Sequence, residues 1–313
     1  MKSFAGKDIL SLKGFSRLDL EQIFVLSKEM EQIISKRSRT DLLKDKILAT
    51  LFFQASTRTR LSFESAMLRL GGGVLGFADP KMTRSGDFYK ESLADTVQMI
   101  ENYADAMVIR HPEEFAPAQA AETVSIPVIN GGDGYNEHPT QGMLDVYTIY
   151  RELGTVDGLT ITLLGDMNIR VLHSLPFALA QFNTKVNFVS PPDMRLPDKW
   201  KKEFDQVGLR YEEKFSLSET LSDTDVYYLV KIFTQSFNVG RADASAEEKQ
   251  TPSDFVLDCE KLLKAKPGAI VLHPLPRGDE LPFQVDPRGS AKYFDQSFYG
   301  VAIRMALLSL LLG

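Results

Sequence analysis

At 313 residues the chain is longer than one hydrophobic core usually serves, about 250 to 300 residues, so two domains are expected. A hydrophobic content of 43% with 25% charged residues excludes a disordered or fibrous chain. A net charge of −6 excludes general attraction to nucleic acid or to an anionic membrane, so an anionic ligand has to be met by a local basic site.

The N-terminal MKSFAGKDILSLKGFSRLDLEQ scatters charges where a signal peptide needs an apolar core, and the apolar run 305–312 is too short to cross a bilayer. The one cysteine, Cys259, has no intrachain partner; a cytoplasmic protein with a buried, inert cysteine is the expectation. An amphipathic stretch over 19–34 comes first, and short apolar runs then alternate with helix-length periodic segments. Strands are predicted at 46–53, 73–77, 106–109 and 126–130, with helices at 59–70, 92–103 and 113–122 between them. The alternation breaks at 131–137, GGDGYNE, where the domain junction is placed, and a periodic helix follows over 138–153. Strands are predicted next at 159–164, 185–189, 209–211, 225–230 and 269–272, with helices at 171–182, 198–206 and 255–264. A last helix over 290–312 is apolar on most faces and should be buried, while polar, aperiodic 235–252 is long for a connection and reads as a functional lid or loop. The pattern predicts an α/β protein of two doubly wound parallel-sheet domains joined by interdomain helices.

The densest chemistry lies in FFQASTRTRLSFESAMLRLGGG, 52–73, where an apolar strand runs into Ser56-Thr57-Arg58-Thr59-Arg60 and then a helix. Backbone N–H groups at a helix start, with hydroxyls beside them, cradle a phosphate, and Arg58 adds a planar fork for paired oxygens. Ser and Thr favour a helix N-cap without any ligand, so on its own this run reads first as a capped helix with solvated arginines. No GxxxxGK[ST] run is present, which removes a P-loop nucleotide enzyme. Of the four histidines, His111, His138 and His273 precede proline, and no close set of Cys, Asp or Glu ligands accompanies them, so no metal site is expected. His173 reads as structural.

STRTR followed by LSFE and LRLGG resembles the carbamoyl phosphate motif of the aspartate/ornithine carbamoyltransferase family. Further matches follow in family order: ESLADT at 91–96, RHP at 110–112, HPTQ at 138–141, Gly165-Asp166 with Arg170 and His173-Ser174, and HPLPR at 273–277. They span about residue 50 to the C-terminus. The resemblance implies a carbamoyl phosphate-binding domain, 1–135 plus a returning C-terminal helix at 291–313, and an amino-acid-binding domain at 136–290. It implies a homotrimer with sites shared between subunits, no cofactor, and transfer of the carbamoyl group of carbamoyl phosphate to L-aspartate in pyrimidine biosynthesis. Carried over residue by residue, it gives phosphate contacts to Ser56, Thr57, Arg58, Thr59 and Arg110, with Arg110 also reaching the carbonyl oxygen. His138 would donate to that oxygen, and Gln141, with the backbone carbonyls of Pro274 and Leu275, would hold the carbamoyl nitrogen. Donors aimed at an oxygen where charge develops lower the barrier, and losing one costs on the order of 100-fold in rate or more.

At the acceptor the resemblance weakens. Arg170 matches the arginine of the family's GD…R segment, with one residue fewer in the gap. Lys231 stands where the arginine of an R-x-Q pair is expected and Phe233 where the glutamine is. Lysine offers a point charge in place of a fork, and phenylalanine favours an apolar part of a substrate. The family's Ser…Lys-Gly-Glu loop appears as Ser85-Gly86-Asp87-Phe88-Tyr89-Lys90-Glu91, so Ser85 and Lys90 are expected to reach a neighbouring subunit's site. Gln54 replaces an acidic residue of some members. Three readings stand: an enzyme that uses aspartate, a carbamoyltransferase with another amine acceptor, and a non-catalytic paralogue serving as an assembly or regulatory partner. HPLPR, lacking a cysteine, argues against the ornithine branch. Regulatory or dihydroorotase chains as further partners are left open.

Overall fold

A computed structural model describes residues 4–86, 90–232 and 251–313. The chain forms two compact units, one running up to Tyr147 and completed by Ser297–Gly313, the other Thr148–Gln296.

The first unit opens with α1 (Arg17–Ser35), started by a capping box in which the Ser16 hydroxyl and the Asp19 carboxylate serve each other's backbone N–H. Then come β1 (Ile47–Phe52), α2 (Thr57–Arg69), β2 (Gly73–Phe77), α3 (Leu93–Glu101), β3 (Ala106–His111), α4 (Ala116–Ala121), β4 (Val128–Asp133) and α5 (Pro139–Leu153). The four strands are parallel in the order β2-β1-β3-β4. Strands covered on both faces need near-continuous apolar runs, and ILATLF in β1 and AMVI in β3 supply them. One core layer joins Ala49, Leu51, Val97, Ile100, Met107 and Ile109.

The second unit contains β5 (Thr160–Leu164), α6 (Val171–Leu179), β6 (Lys185–Val189), α7 (Asp198–Gln206), β7 (Tyr211–Lys214), β8 (Val226–Leu229), α8 (Cys259–Lys264) and β9 (Ile270–Leu272), followed by α9 (Tyr293–Leu312). Its parallel order is β7-β6-β5-β8-β9. α5 and α9 each carry the chain from one unit into the other. α9 is buried from Ala302 to Leu308, as its apolar faces require, and no described helix is long and apolar enough to cross a membrane.

Both sheets reverse direction once, between β1 and β3 in the first unit and between β5 and β8 in the second. In open α/β sheets ligands bind beyond the carboxyl ends of strands at such switch points, because the loops there diverge to opposite faces and leave a crevice.

Four local expectations are corrected. The third strand candidate of the chain's second half lies at Tyr211–Lys214 in place of 209–211: YEEK is an edge strand with one partner, and it is held by charge as well as by apolar burial, with Lys185 Nζ to Glu212 at 3.0 Å and Lys201 Nζ to Glu213 at 2.6 Å. β4 runs on through Gly131-Gly132-Asp133, because a register shift opposite Ile109 to His111 admits the glycines into the ladder. α4 starts at Ala116, after Phe115 takes a left-handed φ of 64°. Cys259 is half-buried, its thiol donating to Gln284 O at 3.3 Å and accepting from Arg288 Nε at 3.3 Å. The expected loop at 235–252 lies outside the described residues save for its last two.

Candidate active site

At the first switch point, Phe53 and Gln54 both donate backbone N–H to Arg110 O, at 2.9 and 3.3 Å, which ties the exit of β1 to the end of β3. Ser56 then takes an extended conformation as N-cap of α2, and its side chain makes no cap bond. Thr57, Arg58 and Thr59 form the first turn, where backbone N–H groups have no partner inside the helix. Arg58 is solvent-accessible, yet the protein around its guanidinium desolvates it enough to lower its pKa, and it stays a cation. Arg60 forms an ion pair with Glu64, 2.6 Å away on the same helix.

Three distant segments meet this corner. The Thr59 hydroxyl and His138 Nε2 lie 3.1 Å apart, both residues buried. Arg110 donates from Nη1 to Gly131 O at 3.2 Å. Gln141 follows His138 by one turn of α5, its N–H donating to His138 O at 3.0 Å. Gly131 allows the approach of β3 and β4, since a Cβ there would sit 3.2 Å from Ile109 O.

The GGDGYNE break proves to be a tightly bonded block that presents His138. Asp133 accepts from Asn130 Nδ2 at 2.8 Å, Phe115 N at 2.7 Å, Asn136 Nδ2 at 3.0 Å and Glu137 N at 3.1 Å. Glu137 in turn accepts from Ser11 Oγ at 2.5 Å and Leu12 N at 3.3 Å, so the N-terminal segment anchors the residue next to His138. This acid pair was missed in the sequence, although two acids among glycines, Asn and Tyr are unusual for a plain linker. His111, beside the block, accepts Glu113 N–H at Nδ1, and burial lowers its pKa; it holds the loop in neutral form.

In the second unit, Arg170 is the buried N-cap residue of α6, reached from the end of β5. Lys231 follows the end of β8 by two residues. The second sheet thus ends its two switch-point strands in the two cations expected at the acceptor. Gly165 makes this crossing possible: with φ +139°, a Cβ would lie 2.4 Å from Val230 O. Phe233 lies outside the described residues. After β9, the His273 ring accepts Leu275 N–H at Nδ1, 2.8 Å, so Nε2 carries the proton donated to Glu280 Oε1 at 3.0 Å. Gly278 N donates to the same carboxylate oxygen at 2.6 Å. The buried acid therefore pins both ends of the turn that carries Pro274 and Leu275. Arg277 is structural: it forms a two-pronged pair with Asp286 and packs its guanidinium over the Phe283 ring at 4.1 Å. His173 is structural too, bonded through Nε2 to Met167 O at 2.9 Å and stacked on Trp200.

Ser85 and Lys90 lie between β2 and α3 in the first unit. The Ser85 hydroxyl meets that of Thr96 at 2.8 Å, and Lys90 is exposed with a left-handed φ of 47°.

The helix start at Arg58 beyond one switch point, with Arg170 and Lys231 beyond the other, is the arrangement that a two-domain α/β transferase working on a phosphorylated donor requires. Known proteins are similar along the whole chain. The family model described as aspartate/ornithine carbamoyltransferase, carbamoyl-P binding domain, matches residues 7–151, and the one described as the Asp/Orn binding domain matches 157–311. The aspartate carbamoyltransferase catalytic subunit of Methanopyrus kandleri is 46% identical over 318 residues, covering 100% of this chain and 99% of that protein. Its counterpart in Thermococcus gammatolerans is 43% identical, with 98% of each chain covered. The crystal structure of aspartate transcarbamoylase from Trypanosoma cruzi in complex with carbamoyl phosphate and aspartate superposes with a TM-score of 0.87 at 35% identity, over 99% of this chain and 98% of that one. The chain belongs to the aspartate/ornithine carbamoyltransferase family.

Proposed function

We propose that this protein transfers the carbamoyl group of carbamoyl phosphate to the amine of L-aspartate, giving N-carbamoyl-L-aspartate and phosphate for pyrimidine biosynthesis. The observation that carries the reading is the meeting of Thr59 and His138 at 3.1 Å beside the Arg58 turn, with Arg110 on the adjoining strand end. Ser56, Thr57, Arg58 and Thr59 hold the phosphate. The uncharged amine attacks the carbonyl carbon, the carbonyl π electrons move onto oxygen, and Thr59, Arg110 and His138 stabilise that charge. The carbonyl then re-forms, the bond from its carbon to the bridging phosphate oxygen breaks with the electron pair leaving on that oxygen, and the departing phosphate takes the proton from the amine. Gln141 and the carbonyls of Pro274 and Leu275 hold the carbamoyl NH2, while Arg170 and Lys231 bind the acceptor's carboxylates. The protein acts as a homotrimer in the cytoplasm, with Ser85 and Lys90 supplied to a neighbouring chain's site. The relatives' printed names and the ligands in the Trypanosoma cruzi crystals support aspartate as acceptor.

Product formation from carbamoyl phosphate with L-aspartate, L-ornithine and other amines tests the reading. N-carbamoyl-L-aspartate should dominate; a product with a different amine alone would reassign the acceptor, and binding without product would make the chain a non-catalytic partner. Arg58→Ala should lower kcat/KM for carbamoyl phosphate on the order of 100-fold or more with the fold intact by circular dichroism, and near-normal turnover would refute the cradle.

A further inference from the structure

The Gln141 side-chain amide can face a substrate with either its oxygen or its NH2, and buried charge behind it decides which. Gln141 Nε2 donates to Asp145 Oδ1 at 2.8 Å, one turn further along α5. Asp145 is fully buried, and a second buried charge, Arg304 of α9, acts on it electrostatically. The Arg304 guanidinium reaches Thr140 Oγ1 at 3.3 Å and Gly300 O at 3.2 Å, and lies 4.9 Å from the centre of the Phe63 ring in α2. Gly300 leaves it room, since a Cβ there would lie 2.9 Å from Nη1. Burial draws the Arg304 pKa down to about 10 while Asp145 opposes the shift, so the guanidinium stays charged at neutral pH. All these residues belong to the first unit.

An ionised carboxylate only accepts hydrogen bonds, whereas a protonated acid or an amide can also donate. The NH2 of Gln141 faces Asp145 Oδ1 beside the cationic Arg304, which turns Oε1 the other way. We propose that Arg304, acting through Asp145, is a positioning residue that holds the Gln141 oxygen toward the donor's NH2, so that the protein selects a carbamoyl donor over an acyl phosphate carrying methyl in that place. This rests on the reading that Gln141 holds the carbamoyl nitrogen.

Acetyl phosphate keeps the phosphate and the carbonyl and lacks only the N–H donors, which makes it the discriminating probe. Its inhibition constant against carbamoyl phosphate, divided by the KM for carbamoyl phosphate, is compared in the unaltered protein, Asp145→Asn and Arg304→Met. The ratio should fall about 3- to 10-fold in both variants, the scale of one lost neutral hydrogen bond, mainly through a raised KM. A purely structural role weakens both ligands together and leaves the ratio where it was, which overturns the proposal. Thr140→Val removes only the hydroxyl that Arg304 reaches and keeps the test decidable if a buried charge is needed for folding; a drop of about 2-fold is expected, and an unmoved ratio overturns the proposal. Unaltered protein that forms no N-carbamoyl-L-aspartate would sink the functional reading and this inference with it. Working protein whose variants keep the ratio would sink this inference alone.

Discussion

In the proposed acceptor site, a lysine at 231 changes what a carboxylate would meet. A Cβ on Gly278 would lie 3.2 Å from Lys231 Cε and 2.8 Å from Oε2 of the buried Glu280, so the lysine stem runs past an internal acid. An ammonium offers a carboxylate a single compact charge, whereas a guanidinium presents two edges. Lys231→Arg should therefore lower the KM for aspartate several-fold with kcat within about twofold, measured at saturating carbamoyl phosphate; an unchanged KM would place Lys231 outside the acceptor pocket. Arg58, Arg110 and His138 could be singled out through the resemblance of STRTR, RHP and HPTQ to family motifs, and the fold brings His138 within 3.1 Å of Thr59. Asp145 and Arg304 were not legible, since each is a buried charge that acts on the other from a distant part of the chain. Only Arg304 left a trace, as the lone basic residue in YFDQSFYGVAIRMALLSLLL.

Strands buried on both faces announced themselves as apolar runs, and β6 falls where such a run lies; β2, an edge strand, did so too because GVLGF is apolar. β7 was expected too early, at 209–211, because an edge strand stabilised partly by lysine and glutamate pairs carries little apolar signal of its own. In the turn after β9, Arg277, to which the HPLPR match gives no role, closes the turn onto Asp286. Arg277, with the Tyr293 hydroxyl helping, holds the Asp286 carboxyl down to about 2 from an ordinary 3.8, against the opposing effect of burial. The folded state therefore keeps the carboxylate ionised where the unfolded chain protonates it. The pair contributes its stability above pH about 4 and loses it as pH falls toward 2. Asp286→Asn should lower the melting temperature at pH 7 by up to about 2–4 °C, corresponding to at most about 1 kcal/mol for a partly exposed pair, and should change little near pH 2. Calorimetry at the two pH values checks this, and equal losses at both would show that packing, with no contribution from charge, carries the contact.

Assembly decides whether one chain can work alone. The proposed site takes its phosphate grip from Arg58 and its loop lysine, Lys90, from a neighbour, and a closed ring of three chains supplies such head-to-tail contacts at every interface. An Arg58→Ala chain then lacks the grip in its own site but still lends an intact Lys90, while a Lys90→Ala chain keeps the grip and lends nothing. Each homotrimer should be nearly inactive. After dissociation and random reassembly of an equal mixture, a site is complete when a Lys90→Ala chain receives the loop of an Arg58→Ala chain. That pairing arises at about a quarter of the interfaces in a heterologous ring, so about a quarter of the unaltered activity should return. Light scattering should give three times the mass of one chain for the parents and the mixture. If both residues served a site within a single chain, every chain in the mixture would carry one defect, and mixing would restore nothing.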